Sequence, residues 1–404
     1  MDTVVLAVFI FVYVGMILGE IPGLALDRTG IALLGAILLL ASDRMSLPEA
    51  WKAVDVPTIA LLLGLMVVSA QFRLGGFYTF ITRRIASANA SPPALLALLI
   101  LAAGVLSALL ANDVVCLAMA PILIEGCAKR KLDPLPFLLA LACAANVGSA
   151  ATLIGNPQNM LIGQALNLSF AGYLKDALAP SILGLAVTWA VICLRFAGRW
   201  IREFPVPNVN NSEFNPWQTG KGMTLIVLIV ILFLIAPWPR DIIALAAAGI
   251  LLLSRRMATR EILGLVDWQL LVLFIGLFVV NDALQASGML AQSMNEIKAA
   301  GLDVSQPIPL FLITVLLSNL VSNVPATMLL LPSATHPLAG PILALASTLA
   351  GNLFIVGSIA NIIVVDQAKK LGLNISWADH ARTGVPVTAL TLLVAAGWLW
   401  LRSL

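Results

Sequence analysis

The chain has 404 residues, 60% of them hydrophobic and 11% charged, and a net charge of +3. A soluble domain carries about 25% charged residues, so the composition excludes one and indicates a polytopic membrane protein. The small net charge says little about partners, and with no basic cluster interleaved with aromatics, no nucleic-acid partner is expected. Four cysteines, Cys116, Cys127, Cys143 and Cys193, sit in apolar runs without paired metal spacing, which predicts free thiols and no disulfide frame. His336 and His380 are the only histidines and lie far apart. No zinc site, other metal or cofactor is expected.

In chain order, apolar runs predict spans near residues 3–19, 29–42, 56–73, 136–165 and 178–198. The second half gives 222–236, 241–254, 267–284, 340–366 and 384–401. The run at 3–19 lacks a basic leader and a small-residue cleavage site, the pattern of a span that is kept. Residues 202–221 contain Pro205, Pro207, Asn208, Asn210, Asn211, Asn215 and Pro216, a linker composition that separates a unit at 1–201 from one at 222–404. Segments 94–128 and 306–335 fit neither one span nor two. About 35 helical residues would run roughly 52 Å, against a hydrocarbon core of about 30 Å. Each is interrupted midway, by Asn112-Asp113 and by Ser322-Asn323-Val324-Pro325. They read as re-entrant hairpins with polar tips near mid-membrane.

The two halves repeat one another. At an offset of 212, Arg28 matches Arg240, Ile31-Ala32-Leu33 matches Ile243-Ala244-Leu245, and Arg44-Met45 matches Arg256-Met257. Val54-Asp55 matches Val266-Asp267 and Gly64-Leu65 matches Gly276-Leu277 at the same offset. Further on the offset shifts while the order persists, aligning 107–121 with 318–332, 155–159 with 357–361, and 167–170 with 374–377. Five spans and one hairpin per half make the second half enter the membrane from the opposite side. The expected fold is an all-α polytopic membrane protein of two inverted-topology repeats, each with five spans, one re-entrant hairpin and one broken helix.

With the N-terminus outside, only Arg44, Lys52, Lys175, Arg240, Lys298 and Arg402 of the 23 Lys and Arg face outward, leaving 17 on the cytoplasmic side (23 − 6). The positive-inside rule favours that orientation, which places both termini in the periplasm and the protein in the cell's inner membrane.

The stretch 144–162 carries the chemistry. Its centre, Gly155-Asn156-Pro157-Gln158-Asn159, gathers helix breakers and uncharged amides within a long apolar region. In hydrocarbon, irregular backbone is tolerated only where protein buries it or water reaches it, so this is read as a helix unwound at a binding site. Inverted repeats with broken helices build transport sites at the midplane, where half-helix N-termini attract anions or polar oxygens. The candidate substrate-binding residues are Asn112, Asp113, Cys116, Asn156, Gln158 and Asn159 from the first half. Ser322, Asn323, Thr327, Ser358 and Asn361 join them from the second. For each amide the alternative is ordinary hydrogen bonding between helices.

Asp113 has Val324 as its repeat partner, so the duplication does not itself call for an acid there. An ionisable group at that depth is expensive to keep charged and marks function, here proton coupling; the alternative is a capping Asp for the second hairpin leg. Cys116 lies one turn beyond Asp113, either a small hydrophobe or a ligand for a thiophilic substrate. Glu125 and Asp282, closer to helix ends, are expected to be structural or interfacial.

At these residues the chain resembles the ion transporter superfamily, specifically its arsenite-permease-like (ArsB/NhaD) branch, with the divalent anion/sodium symporters as relatives. The matching motifs are Ala111-Asn112-Asp113 with Pro121, residues 152–159, residues 318–325 and residues 351–361. The symporters carry Ser-Asn-Thr at both hairpin tips, whereas this chain has Asn112-Asp113-Val114 and Asn323-Val324-Pro325, a departure that points to the arsenite-permease branch. The resemblance implies proton-coupled efflux of arsenite and antimonite and arsenical resistance; a separate ATPase docking on the cytoplasmic side is a possible partner. Transport of another small inorganic anion or oxyacid, of sulfate or carboxylate type, and sodium/proton antiport remain alternatives, with sodium as the other coupling ion. The chain has no Gly-rich Walker loop of its own, and the spans lack the paired nucleophile and base of an intramembrane enzyme.

Overall fold

The computed structural model describes residues 2–19, 23–209, 213–253 and 257–403. Asn210 and Asn211 of the expected linker, and Arg255 and Arg256 of the charge count and repeat match, lie outside the described residues. Ten α-helices form the first half: α1 (Thr3–Leu18), α2 (Arg28–Ala41), α3 (Leu47–Ala53), α4 (Val56–Leu74), α5 (Phe77–Ala86), α6 (Pro92–Leu109), α7 (Asn112–Lys129), α8 (Pro134–Ser149), α9 (Pro157–Ala165) and α10 (Phe170–Arg195). Ten more form the second: α11 (Pro216–Ile235), α12 (Arg240–Leu252), α13 (Thr259–Leu263), α14 (Trp268–Ala286), α15 (Met289–Ala299), α16 (Pro307–Val321), α17 (Asn323–Leu330), α18 (Ala339–Ala350), α19 (Ile359–Lys370) and α20 (Trp377–Ser403). Six of these, α4, α6, α10, α11, α14 and α20, are long and apolar enough to cross a membrane, and α1, α2, α8, α16 and α18 are shorter apolar helices.

Local chemistry sets the helix starts. The repeat-matched Asp55 and Asp267 cap α4 and α14, their carboxylates accepting from the Thr58 N–H at 3.0 Å and the Leu270 N–H at 2.9 Å. The helices α5 and α15 each begin after a left-handed glycine, Gly76 (φ 67°) and Gly288 (φ 75°), a backbone state that a side chain would oppose. Three spans begin earlier than hydropathy indicates. At α10, capped by Ser169, the helix starts at Phe170, eight residues before position 178, and at α11 the Asn215 carboxamide accepts from the Gln218 N–H at 3.1 Å. The last residues of the expected linker, from Pro216 on, are therefore helical. The helix α20 begins at Trp377 rather than near 384. Caps and N-terminal prolines govern these starts, and an apolar window does not register them.

The halves pack with reciprocal contacts. The helix α4 lies against α12, and α2 lies against α14. A Cβ on Gly64 would stand 2.6 Å from the Ala244 carbonyl carbon, and a Cβ on Gly276 would stand 2.7 Å from that of Ala32. Both pairs obey the offset of 212 (64 + 212 = 276; 32 + 212 = 244), so one contact is made twice across a pseudo-two-fold axis. At α10 and α20 the pattern recurs at an offset of 207. Arg195 donates to the Thr383 hydroxyl, and Arg402 bonds the Asp176 carboxylate at 2.8 Å.

Both interrupted segments fold back on themselves. The Arg130 guanidinium, just past α7, donates to the carbonyls of Ala86, Ala88 and Ala90 at 3.1, 2.7 and 3.2 Å, just before α6. One end of the bundle therefore holds the start of α6 and the end of α7, as a hairpin requires. Its leg α6 lies close on α8, where a Cβ on Gly148 would fall 2.3 Å from the Gly104 carbonyl oxygen.

The close approaches at Gly64 and Gly276 give a direct check. Replacing either glycine by leucine is expected to cost at least about 1–3 kcal/mol through overpacking, whereas Gly249→Leu, where nothing lies within 4 Å, leaves stability unchanged. Thermal unfolding of detergent-purified variants reads this, and equal melting temperatures for all three would remove the reciprocal contact as a determinant of the fold.

Candidate functional site

Each broken helix is repaired by one asparagine. The backbone leaves helical geometry between α8 and α9, and again between α18 and α19. The Asn159 side-chain amide donates to the carbonyls of Ser149 (3.3 Å) and Thr152 (3.0 Å) across the first gap. The Asn361 amide donates to those of Gly351 (2.8 Å) and Phe354 (3.0 Å) across the second. All three positions shift by 202 between the halves, so the same device is used twice. Asn156 caps α9 by accepting from the Asn159 N–H at 2.9 Å, and Ser358 caps α19 through the Ala360 N–H at 3.2 Å.

The hairpin tips reach these gaps. The Asn112 N–H donates to the Gly155 carbonyl at 3.2 Å. Its counterpart Asn323 reaches Gly357: with its amide in the orientation its neighbours require, the nitrogen donates to the carbonyls of Ser347 (3.1 Å) and Gly357 (3.2 Å), and the oxygen accepts from the Gln158 amide at 3.2 Å. The tips differ in backbone. Leu110 is extended and Ala111 keeps a negative φ of −57°, whereas Ser322 sits at φ 79°, ψ 159°, a conformation rare outside glycine.

Two further side chains join the halves. Asn146, on α8, accepts from the Asn112 amide (3.2 Å) and the Ser358 hydroxyl (2.8 Å) and donates to the carboxamide oxygens of Asn352 (2.8 Å) and Asn361 (3.1 Å). Thr348, on α18, accepts from the amides of Asn156 and Gln158, each at 3.2 Å, and its hydroxyl donates to the Asn159 oxygen at 3.4 Å. Asn146 and Thr348 are also 202 apart. The sequence reading passed over both, along with Asn352, although the offset aligning 155–159 with 357–361 pairs Asn146 with Thr348.

Of the residues singled out from sequence, Asn112, Asn156, Gln158, Asn159, Asn323, Ser358 and Asn361 therefore meet in one buried hydrogen-bonded cluster. Thr327 is fully buried on α17, its hydroxyl unpartnered. Ser322 forms the strained tip. Asp113 is half-buried in the first turn of α7 and makes no hydrogen bond or ion pair with a described residue. The capping alternative for Asp113 does not hold, because α7 has no side-chain cap. Cys116 is fully buried on α7, with Cys143 fully buried on the neighbouring α8. Glu125 lies away from the cluster, paired with Lys129 at 2.5 Å and Arg83 at 3.8 Å.

Helix lengths set the depth. From Pro134 to Asn146 is twelve residues, about 18 Å of helix, and α9 adds nine residues, about 13 Å. Their sum matches a hydrocarbon core of about 30 Å, which puts the cluster inside the membrane. There the Asn112 oxygen, the Asn352 amide and the Thr327 hydroxyl have no partner among the described residues. Buried polar atoms left open at a cluster of helix N-termini can be met by water or by a polar ligand. Among the described residues, neither Lys nor Arg contributes to the hydrogen-bonded cluster.

The centrality of Asn146 is measurable. Asn146→Ala is expected to destabilise by about 1–3 kcal/mol. In a cycle with Ser358→Ala the losses should fall short of additivity by at least about 0.5 kcal/mol, and strict additivity in detergent unfolding would contradict the shared bond.

A profile of the CitMHS family, described as citrate transporter, matches residues 7–342. Among similar proteins, the 46 kDa membrane protein of Mycobacterium leprae is 26% identical over 100% of this chain and 99% of its own length. The silicon efflux transporter of Oryza sativa subsp. japonica is 26% identical over 91% of each chain. A Dictyostelium discoideum protein named for the arsB transporter is 23% identical over 92% of this chain and 87% of its own. The crystal structure of the YdaH transporter of Alcanivorax borkumensis superposes with a TM-score of 0.62 at 14% identity, covering 98% of this chain and 96% of that one, a likeness of fold. The apolar inverted-repeat fold and the profile match across most of the chain together make this protein a membrane transporter of the CitMHS family.

Proposed function

We propose that the protein is a proton-coupled secondary exporter of small hydroxylated oxyacids, arsenite and antimonite first among them. The observation that carries this reading is the chemistry of the cluster, which consists of carboxamides and hydroxyls with open positions, one nearby carboxylate, and no ammonium or guanidinium. Arsenite and antimonite are uncharged hydroxides at neutral pH, and a dense set of neutral donors and acceptors suits their O–H groups. A multiply charged carboxylate would favour Arg or Lys in its site. Asp113, unpaired beside the first tip, is the residue we assign to proton loading. The hairpins and broken helices would move against the framework made by α2, α4, α12 and α14, exposing the cluster to either side in turn. We place both termini in the periplasm of the inner membrane, from the charge bias. Relatives named for silicon efflux and for arsB accord with an oxyacid, and a cytoplasmic ATPase remains a possible partner.

A second reading, uptake or export of a small carboxylate or sulfate, has its own support. The helices α7, α9, α17 and α19 all begin at the cluster, and their free N–H groups favour an anion. Sodium/proton antiport would use the same Asp113.

Everted vesicles with an imposed proton gradient, tested against arsenite, antimonite, sulfate, citrate and sodium, separate these readings. We expect gradient-driven accumulation of arsenite or antimonite, and loss of its gradient dependence by at least about tenfold in Asp113→Asn, the scale of losing a driving force rather than a contact. Uptake unchanged when the gradient is collapsed would refute proton coupling, and accumulation of citrate alone would refute the oxyacid. Phosphatase and fluorescent-protein fusions at each terminus test the orientation: both ends should report as periplasmic.

A further inference from the structure

We infer that the groove between α5 and the membrane leg α7 is a binding site for the phosphodiester headgroup of an anionic membrane phospholipid. The groove has a volume of about 880 Å³ and lies at the end of the bundle that also holds the linker. Arg83, Arg84, Lys129 and Arg130 line it, against only two carboxylates, Glu125 and Glu213. Glu125 is occupied by Lys129 and Arg83. Arg130 is locked by the Ala86, Ala88 and Ala90 carbonyls, which fix its position without cancelling its charge. Arg84 is exposed and has no ion pair with a described residue. The charge that Glu125 does not offset thus rests on a fixed Arg130 and an exposed Arg84.

The other wall is apolar. Phe80 and Phe214 stack with centroids 4.3 Å apart, and Ile122 faces the groove from α7. A cationic rim over an apolar wall, at the boundary between a surface helix and a membrane leg, suits a molecule with an anionic head and a hydrocarbon body. The pseudo-symmetry sharpens this. The helix α15 is the repeat counterpart of α5, and at the offset of 212 Arg83 and Arg84 correspond to Asn295 and Glu296. Duplication and packing therefore do not account for the basic groove. The arginine pair has no counterpart on α15, and the groove lies at the end that the charge bias assigns to the cytoplasmic leaflet.

Native mass spectrometry of the full chain, released from nanodiscs of equal phosphatidylglycerol and phosphatidylcholine, tests the assignment. The wild type should retain phosphatidylglycerol in preference to phosphatidylcholine. In Arg83→Ala/Arg84→Ala that preference should fall by roughly tenfold or more, given a factor of about five for each cation near an anionic surface. Lys298→Ala, on α15, should retain the wild-type preference, and the melting temperatures of all three proteins report folding. An equal preference in the double variant and wild type overturns the inference. So does displacement of the bound lipid by millimolar inorganic phosphate, which would mark a free-anion site.

Discussion

A helix interrupted inside hydrocarbon leaves carbonyls and N–H groups that lipid cannot satisfy. Here one asparagine per half answers that constraint, Asn159 bonding back to Ser149 and Thr152 and Asn361 to Gly351 and Phe354. Without those amides the unwound stretches would carry orphaned carbonyls at mid-membrane, a penalty of about 1–3 kcal/mol for each group. Because the repair comes from a side chain on the next half-helix, the gap stays open and its N-terminal N–H groups stay aimed at the centre. The cluster of buried amides and hydroxyls that joins the two halves is arranged around these two gaps.

The framework that holds the gaps in register is apolar and close-packed. Gly64 on Ala244 and Gly276 on Ala32 let four helices approach nearly backbone to backbone. Small residues serve this purpose in membranes, where the hydrophobic effect does not drive helices together and close packing must do so. The two contacts are equivalent, so each half presents its hairpin to the broken helix of the other: α7 packs on α19, and α17 on α9. Neither half completes the polar cluster alone.

The polar cluster is where this symmetry fails. Asn146 stands where the other half has Thr348, Gln158 where it has Ala360, and Asp113 where it has Val324. A wholly symmetric cluster would offer the same groups to both sides. The substitutions concentrate acidity and amide donors on the first hairpin and first break, and leave the Thr327 hydroxyl and the Asn352 amide without partners on the second half. Such neutral groups can exchange partners at low cost, because breaking an amide's hydrogen bond leaves no unpaired ion in low dielectric.

The sequence by itself determined the solvent, the duplication and the positions of the breaks, because each is written locally. Apolar composition, charged residues kept in register at an offset of 212, and Gly-Asn-Pro-Gln-Asn within an apolar run need no knowledge of neighbours. It also named seven of the clustered polar residues, since a polar group at a helix break has few other uses. Tertiary structure decided what those groups touch. Asn146 lies inside a regular helix and looks like any amide in a span, and only the folding of α19 and α7 against α8 makes it the centre of the cluster. The capping alternative for Asp113 failed for a similar reason: capping depends on a backbone angle at the tip, which residue type does not specify. Helix starts at Phe170, Pro216 and Trp377 escaped hydropathy because polar residues within the first two turns, such as Lys175, Gln218 and Asp379, interrupt the apolar window, while caps and contacts that only three dimensions supply hold the helix.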